Sequence, residues 1–356
     1  MNDLKERLER LADAPAPVSA VDVAAAVARA RRIRRTRRAA VAAVAAGVAA
    51  GVAGITVLPS SSAERPSAVA GPARFPSPLI EKAAFGWLPP GYARTRVAQD
   101  AQRGTVFTVS AGRGPGSTAI EVSVGPPGVS PGVPLLPGGG KGHLTKAAPV
   151  GGRPAYWSIK PGGPGSDQVP AEFRWEYRPK SWAVLTVNDR AVADPVTVQR
   201  IAAGVRFGGD RPAAFPVRVT GLPDGLRATR TWVAAPAEVM ISLAVPGRDG
   251  DLLISLQPAA ARRGGVFQPN TTVDGHPAFD TRLPHTGPNP GPNVGLVPPA
   301  KSQILRVYGV RGFDIEINAT GEPLRRLQAG GGVTGLYRRT TPLGTDPARW
   351  TTEPLR

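Results

Sequence analysis

The chain has 356 residues, 41% of them hydrophobic and 20% charged, with 43 Gly, 40 Pro, no Cys and a formal net charge of +18. That length admits two ordinary domains, and so much Gly and Pro favours short strands and many turns over long helices. The absence of cysteine excludes a disulfide framework, a thiolate metal site and a cysteine nucleophile.

A strongly basic chain raises the question of nucleic acid, because cationic surfaces release counterions from phosphate. The charge is too unevenly spread for that. Residues 1–38 hold ten Lys or Arg against five Asp or Glu, and seven of the ten are Arg29, Arg31, Arg32, Arg34, Arg35, Arg37 and Arg38. No comparable run follows, and no recognition helix, zinc finger or aromatic RNA-binding signature accompanies it, so nucleic acid is not the expected partner.

In chain order, "NDLKERLERLADAP" puts Leu4, Leu8 and Leu11 on one face of a short helix that Pro15 ends. Three leucines cannot fold such a helix alone, so it rests on lipid or docks on a cytoplasmic partner. Ser19 and Asp22 begin a second helix in the manner of a capping box. The arginine run then leads into residues 39–58, which carry no charge. Twenty helical residues span about 30 Å, one hydrocarbon core. A buried core helix or a cleaved signal peptide are the alternatives. Neither accounts for seven arginines at one end or for 38 residues ahead of the apolar run, whereas the positive-inside rule does. The expectation is one transmembrane helix, with residues 1–38 cytoplasmic beside anionic lipid and the remainder extracellular. Within the span Ala43, Gly47 and Gly51 form a stripe of small residues along which two helices could pair as a homodimer, although Ala, Gly and Val produce this spacing readily.

Residues 59–78 read as a Pro/Ser/Ala linker. Beyond it the chain echoes itself. "WLPPGY" at 87–92 returns as "GLPDGL" at 221–226, and "IEVSVGP" at 120–126 as "LLISLQP" at 252–258. "GGRPAYW" at 151–157 returns as "DGHPAFD" at 274–280, and "WAVLTVND" at 182–189 as "FDIEINAT" at 313–320. Last, "DPVTVQRIAAGV" at 194–205 matches "EPLRRLQAGGGV" at 322–333, each with Pro at the expected first helical position. Five echoes in one order predict two tandem repeats, 79–209 and 215–337, sharing a sheet or packed face to face, with 338–356 as a tail. Each repeat reads as alternating strands, a Gly-x-Pro-Ala-aromatic corner, a hairpin carrying Phe173, Trp175 and Tyr177 on one face, and a helix burying Val198, Ile201, Ala202 and Val205. The expected fold class is α+β, mostly antiparallel.

The order Leu-Pro-x-Gly, strands, Gly-x-Pro-Ala-aromatic, Trp-bearing hairpin and "RIAAGV" helix is similar to the extracytoplasmic domains of bacterial membrane-bound anti-sigma factors. The N-terminal layout resembles actinobacterial membrane proteins associated with extracytoplasmic-function sigma factors. The resemblance implies a signalling role and a sigma factor as cytoplasmic partner. It departs in two respects: residues 1–38 are about half the usual anti-sigma length, and the His/Cys zinc variety is excluded.

No catalytic set emerges. "GVSPG" at 128–132 fits G-x-S-x-G around Ser130, but a nucleophile elbow needs a strand running into a helix, and Pro131 would remove an oxyanion-hole N–H. "GGGKG" at 138–142 has Gly142 where a P-loop needs Ser or Thr. His143, His276 and His285 lack metal-ligand spacing and read as loop residues. Neither metal, cofactor nor enzymatic activity is expected. The alternative to signalling is a membrane-anchored binding or structural module of the envelope with no cytoplasmic partner.

Overall fold

The computed structural model describes residues 77–102, 104, 106–130, 132, 142–259, 267–282 and 302–356. Leu4, Leu8 and Leu11, the arginine cluster 29–38, the small-residue stripe 43–51 and the span 39–58 all lie outside these residues. Among the described residues no helix is long and apolar enough to cross a membrane.

Strands β1 (Ile80–Phe85), β2 (Ala93–Asp100), β3 (Val106–Gly112), β4 (Ile120–Val124), β5 (Thr145–Lys146), β6 (Ala155–Ile159), β7 (Ala171–Arg178) and β8 (Ser181–Val187) lead to helix α1 (Pro195–Gly204) and strand β9 (Val205–Pro212). Then β10 (Val217–Val219), β11 (Arg227–Ala234), β12 (Glu238–Ala244), β13 (Leu252–Pro258), β14 (Thr271–Val273), β15 (His276–Asp280), β16 (Ser302–Val310) and β17 (Phe313–Thr320) lead to α2 (Gly321–Gln328), α3 (Gly332–Arg338) and β18 (Thr340–Pro342). Among the described residues the fold is therefore α+β in kind but dominated by strands, with few and short helices.

Fourteen strands form one sheet in the order β14-β15-β16-β17-β13-β12-β11-β2-β3-β4-β8-β7-β6-β5. Counted outward from the centre, the first seven strands on one side run β2, β3, β4, β8, β7, β6, β5. On the other they run β11, β12, β13, β17, β16, β15, β14. At the centre β2 and β11 pair antiparallel with Ala98 opposite Trp232, Arg96 opposite Ala234 and Arg230 opposite Asp100. A register shift falls between Arg94 and Arg96 in the β2–β3 pair, and between Ala228 and Arg230 in the β11–β12 pair. Both lie the same number of residues before the central Ala98 and Trp232. The outermost strands β5 and β14 have two and three residues, which limits the unpaired edge a neighbouring chain could join.

One face of the sheet is apolar and covered. Along β4 and β8, Ile120, Val122, Val124, Ala183, Leu185 and Val187 are buried while Glu121, Ser123, Trp182, Val184 and Thr186 are only half-buried, the period-2 pattern of a sheet packed on one side. The cover consists of the β1–β9 ribbon over β2–β4, α1 against β8, and α2 and α3 against β16 and β17. Their inward side chains join those of the sheet in one contiguous core.

Local chemistry explains the corners. Gly151 and Gly152 have φ of 56° and 76°, and Asp274 and Gly275 have 48° and 80°. Both are two-residue turns with positive φ at each position, the geometry whose twist suits a hairpin and which Gly and Asp-Gly tolerate. Helix α1 begins as its sequence dictates, with the Asp194 side chain accepting from Thr197 N at 2.9 Å and Pro195 in the first turn.

Five details differ from expectation. Val205 sits just past α1 and opens β9, although it is buried. Pro323 is the third residue of α2, because the helix begins at Gly321. The stretch through 333 is not one helix: Gly331, with φ 85°, breaks it and α3 restarts at Gly332. Residues beyond 338 do not trail away. β18 pairs with β10, Phe215 bridges Thr351, and Leu355 is buried. Pro78, assigned to the linker, is buried as well.

Candidate functional site

A cavity of about 480 Å³ opens at the seam between the two halves of the sheet. It is within the usual range for small-molecule sites, which favour such junctions. Strands β2 and β11 form its floor through Arg94, Thr95, Arg96, Val97, Val233 and Ala234. The walls come from far apart in sequence: Glu81 of β1, Arg211–Ala214 where the chain crosses from one half to the other, the Ala235–Pro236 turn, and Pro347 with Trp350 near the C-terminus.

Hydrogen bonds hold this frame. Ala235 N donates to Thr95 O at 2.8 Å, and Thr95 Oγ1 donates to Ser117 O at 2.7 Å. Phe215 and Thr351 exchange backbone bonds of 2.8 and 3.1 Å, which bring the C-terminal stretch to the seam. Trp350 is positioned by its Nε1 donating to Gly344 O at 3.0 Å.

The three cavity arginines differ in partners. Arg94 Nη1 donates to both carboxylate oxygens of Glu81 at 3.2 Å, so that charge is matched. Arg211 is exposed and makes no ion pair among the described residues. Arg96 is half-buried with its guanidinium 4.8 Å from the Trp232 ring centre, and its buried Nε has no hydrogen-bond partner among the described residues. Burial holds the Arg96 guanidinium below the usual arginine pKa, against the opposing attraction of Glu121 and Glu238. Neither carboxylate comes within ion-pairing distance. On the polar face of the sheet a second hollow of about 330 Å³, lined by Trp232, Arg230, Glu121 and their neighbours, shares Arg96 with the first. The register puts the Arg96 side chain with Trp232 and Arg230 on that polar face, so the seam cavity itself presents the paired Arg94, the exposed Arg211, Trp350 and three prolines.

The other sequence motifs lie elsewhere. Gly128, Val129 and Ser130 are exposed in the loop after β4, with Gly128 N bonded to Lys180 O at 2.6 Å, so no strand runs directly into Ser130; Pro131 lies outside the described residues. Gly142 is buried ahead of β5, and the rest of "GGGKG" lies outside the described residues. His143 is an exposed loop residue, whereas His276, expected in a loop, opens strand β15; His285 is not among the described residues. Among those that are, no three His, Asp or Glu gather as a metal site. Asp280, which the sequence sets between His276 and His285, is buried and clamped by Arg282, with Nη2 to Oδ2 at 2.8 Å.

Sequence reasoning missed Arg94, Arg96, Arg211 and Trp350. The one local hint was two arginines two apart in "ARTRVAQD", a strand pattern that puts like charges near each other. The meeting of Arg94 with Arg211 and Trp350 is a tertiary event. No family model matches the chain, and a search of curated proteins found no match.

Proposed function

We propose that the chain is a single-pass membrane protein of the signalling type, with residues 1–38 in the cytoplasm, residues 39–58 across the bilayer and the β-rich part outside. The observation that carries this reading is the charge step at Ala39, where seven arginines in ten residues give way to twenty uncharged positions. Translocation disfavours arginine-rich flanks, which fixes the orientation. On this reading Leu4, Leu8 and Leu11 meet a cytoplasmic partner, a sigma factor by the resemblance of the layout. The Arg29–Arg38 cluster faces anionic lipid at about 1 kcal/mol per residue, and Ala43, Gly47 and Gly51 allow two spans to pair.

The external part is a tandem duplication of one mostly antiparallel unit. Supporting this are the mirrored strand order, the matching places of the bulges beside Arg96 and Arg230, and the five sequence echoes. Its seam receives the signal. A second reading, an envelope-binding module without a cytoplasmic partner, is favoured by the long polar face that the sheet leaves uncovered.

Topology is tested by a reporter active only outside the cytoplasm: active after Arg356 and silent at Met1. The reverse pattern overturns the orientation. For the partner, the full chain is solubilised in detergent and isolated by a C-terminal tag. A sigma factor recovered with the wild type and lost with Leu4→Asp/Leu8→Asp supports signalling, and none recovered with either leaves the envelope-binding reading.

A further inference from the structure

The polar face of the sheet is built differently in its two halves. Counted outward by register from the central pair, Ala98, Thr108 and Glu121 stand at the places that Trp232, Met240 and Leu253 take on the other side. Where the second half fills its outer face with bulk, the first half carries small or hydrogen-bonding side chains. The surface sinks there, into the hollow of about 330 Å³. Its lining comes wholly from β2, β3, β4 and β11, so hydrogen-bonded strands and not loops set its shape. Trp232 stands at its border, with the Arg96 guanidinium 4.8 Å from the ring centre.

The charges around the hollow balance. Two guanidiniums, Arg96 and Arg230, and two carboxylates, Asp100 and Glu121, line it. Arg230 and Asp100 approach to 3.6 Å. An anion would face both carboxylates at short range, and a cation both guanidiniums. A hydroxyl suits such a lining, because it donates to a carboxylate and accepts from a guanidinium at the same time. The hydroxyls already there are loosely held. Thr108 Oγ1 and Ser123 Oγ are 3.3 Å apart, and Ser110 Oγ donates to Glu121 Oε2 at 3.3 Å. Hydrogen bonds between oxygens ordinarily close to about 2.7–2.8 Å, so these groups can turn to a ligand at little cost. Beside them Trp232 offers a flat apolar surface for C–H groups.

We propose that this hollow binds one ring of an uncharged sugar, its hydroxyls shared among Glu121, Arg96, Thr108 and Ser123 and its C–H groups against Trp232. The inference rests on neither the topology nor the cytoplasmic partner. A failed reporter or co-isolation experiment leaves it standing, and a failed binding experiment leaves those results untouched.

The test uses the full chain in a detergent without a sugar head group, which would compete for the site. Saturation-transfer NMR and titration calorimetry are run with the methyl glycosides of glucose, mannose and galactose. Glucose 6-phosphate and glucuronate serve as anionic comparators, and each series is repeated at low and high chloride. At least one neutral glycoside should bind more tightly than either anion, and equally at both chloride levels. Thr108→Met installs the side chain that Met240 already carries at the matching place. It should fill the hollow and weaken binding about tenfold or more, with the urea midpoint unchanged. Glu121→Gln, which removes a charged acceptor, should weaken binding about fivefold or more. If Thr108→Met lowers the urea midpoint, Glu121→Gln decides alone. Ser255→Met, on the same face of the other half, should leave binding within about twofold. Tighter binding of the corresponding disaccharide assigns the site to a unit of a glycan chain, and equal binding assigns it to a free sugar. No transfer to any of the three glycosides, an anion bound as tightly, or indifference to both Thr108→Met and Glu121→Gln overturns the proposal.

Discussion

The two halves of the sheet solve one packing problem in different ways. In β6 and β7 the covered face carries Trp157, Phe173 and Trp175, with Trp157 and Phe173 edge-on at 4.8 Å and Trp175 reaching Phe207 of β9 at 6.0 Å. At the same places in β15 and β16, counted by register, stand Asp280, Leu305 and Val307. The cover explains the exchange. Over the first half lies one helix, α1, which buries Val198, Ile201 and Ala202. Over the second lie α2 and α3, which bury Leu324, Leu327, Val333, Leu336 and Tyr337. Interiors must reach a near-constant packing density, so where the cover is thin the sheet supplies bulk, and where it is thick the sheet recedes. The same plan of strands can thus hold quite different side chains.

This contrast can be broken by mutation. Trp175→Ala should cost about 3–5 kcal/mol in urea unfolding, the range for large buried aromatics. Val307→Ala should cost about 2 kcal/mol, two methyl groups' worth of burial with a small cavity term. Equal losses would mean that the aromatic half is not the more tightly filled one.

A second comparison concerns the residue after the first strand of each half. Gly86 N donates to Gly204 O at 2.8 Å, and Thr220 N to Arg339 O at 3.1 Å. A Cβ on Gly86 would lie 2.4 Å from Gly204 O, at the end of α1, whereas Thr220 is exposed. Gly86→Ala should therefore cost about 1–3 kcal/mol, and Thr220→Ala should stay within about 0.5 kcal/mol. A neutral Gly86→Ala in the same unfolding assay would show that α1 is free to move off β1.

The central pair offers a smaller effect. Arg230 and Asp100 form an ion pair of 3.6 Å with side chains 49% and 20% exposed. Arg230→Gln should lower stability by less than about 1 kcal/mol, measured by thermal or urea unfolding. A larger loss would show that the central strands depend on this contact.

The smallest difference should appear on acidification. The Tyr92 hydroxyl, and then the Ala191 N–H, hold the Asp189 carboxyl below the ordinary aspartate pKa. At the place of Tyr92 the other half has buried Leu226, which cannot make this bond. A depressed carboxyl contributes its stability fully above the unfolded value of about 3.9 and loses it as pH falls through the folded value. Tyr92→Phe should accordingly narrow the loss of stability between pH 7 and pH 3. An unchanged loss would place the acid sensitivity elsewhere.

Much of the fold was legible because it is local. Alternation in "IEVSV" and "WAVLTV", paired left-handed residues in the Gly-Gly and Asp-Gly turns, and the Asp-Pro start of α1 each follow from a few neighbouring residues. The break between α2 and α3 is legible too, in three consecutive glycines, although the echo of 194–205 in 322–333 points to one helix. Leu355 and Pro78 show the limit at the ends: nothing in a Pro-rich terminal stretch reveals which apolar residue the core will take.

The sequence by itself determined the kinds of element, the turns between them, the charge step at Ala39 and the order in which motifs return. These depend on interactions within a few residues, or on composition, which no distant partner changes. Only the tertiary structure decided that the central pairing runs through Ala98 and Trp232, and that Arg230 meets Asp100 while Arg96 meets Ala234. It alone brought Glu81, Arg211 and Trp350 to one cavity. Such choices turn on strand register between residues some 130 positions apart, where a slip of one would exchange the faces of an entire strand. Burial across the whole sheet selects among those registers, and no short stretch of the chain contains that information.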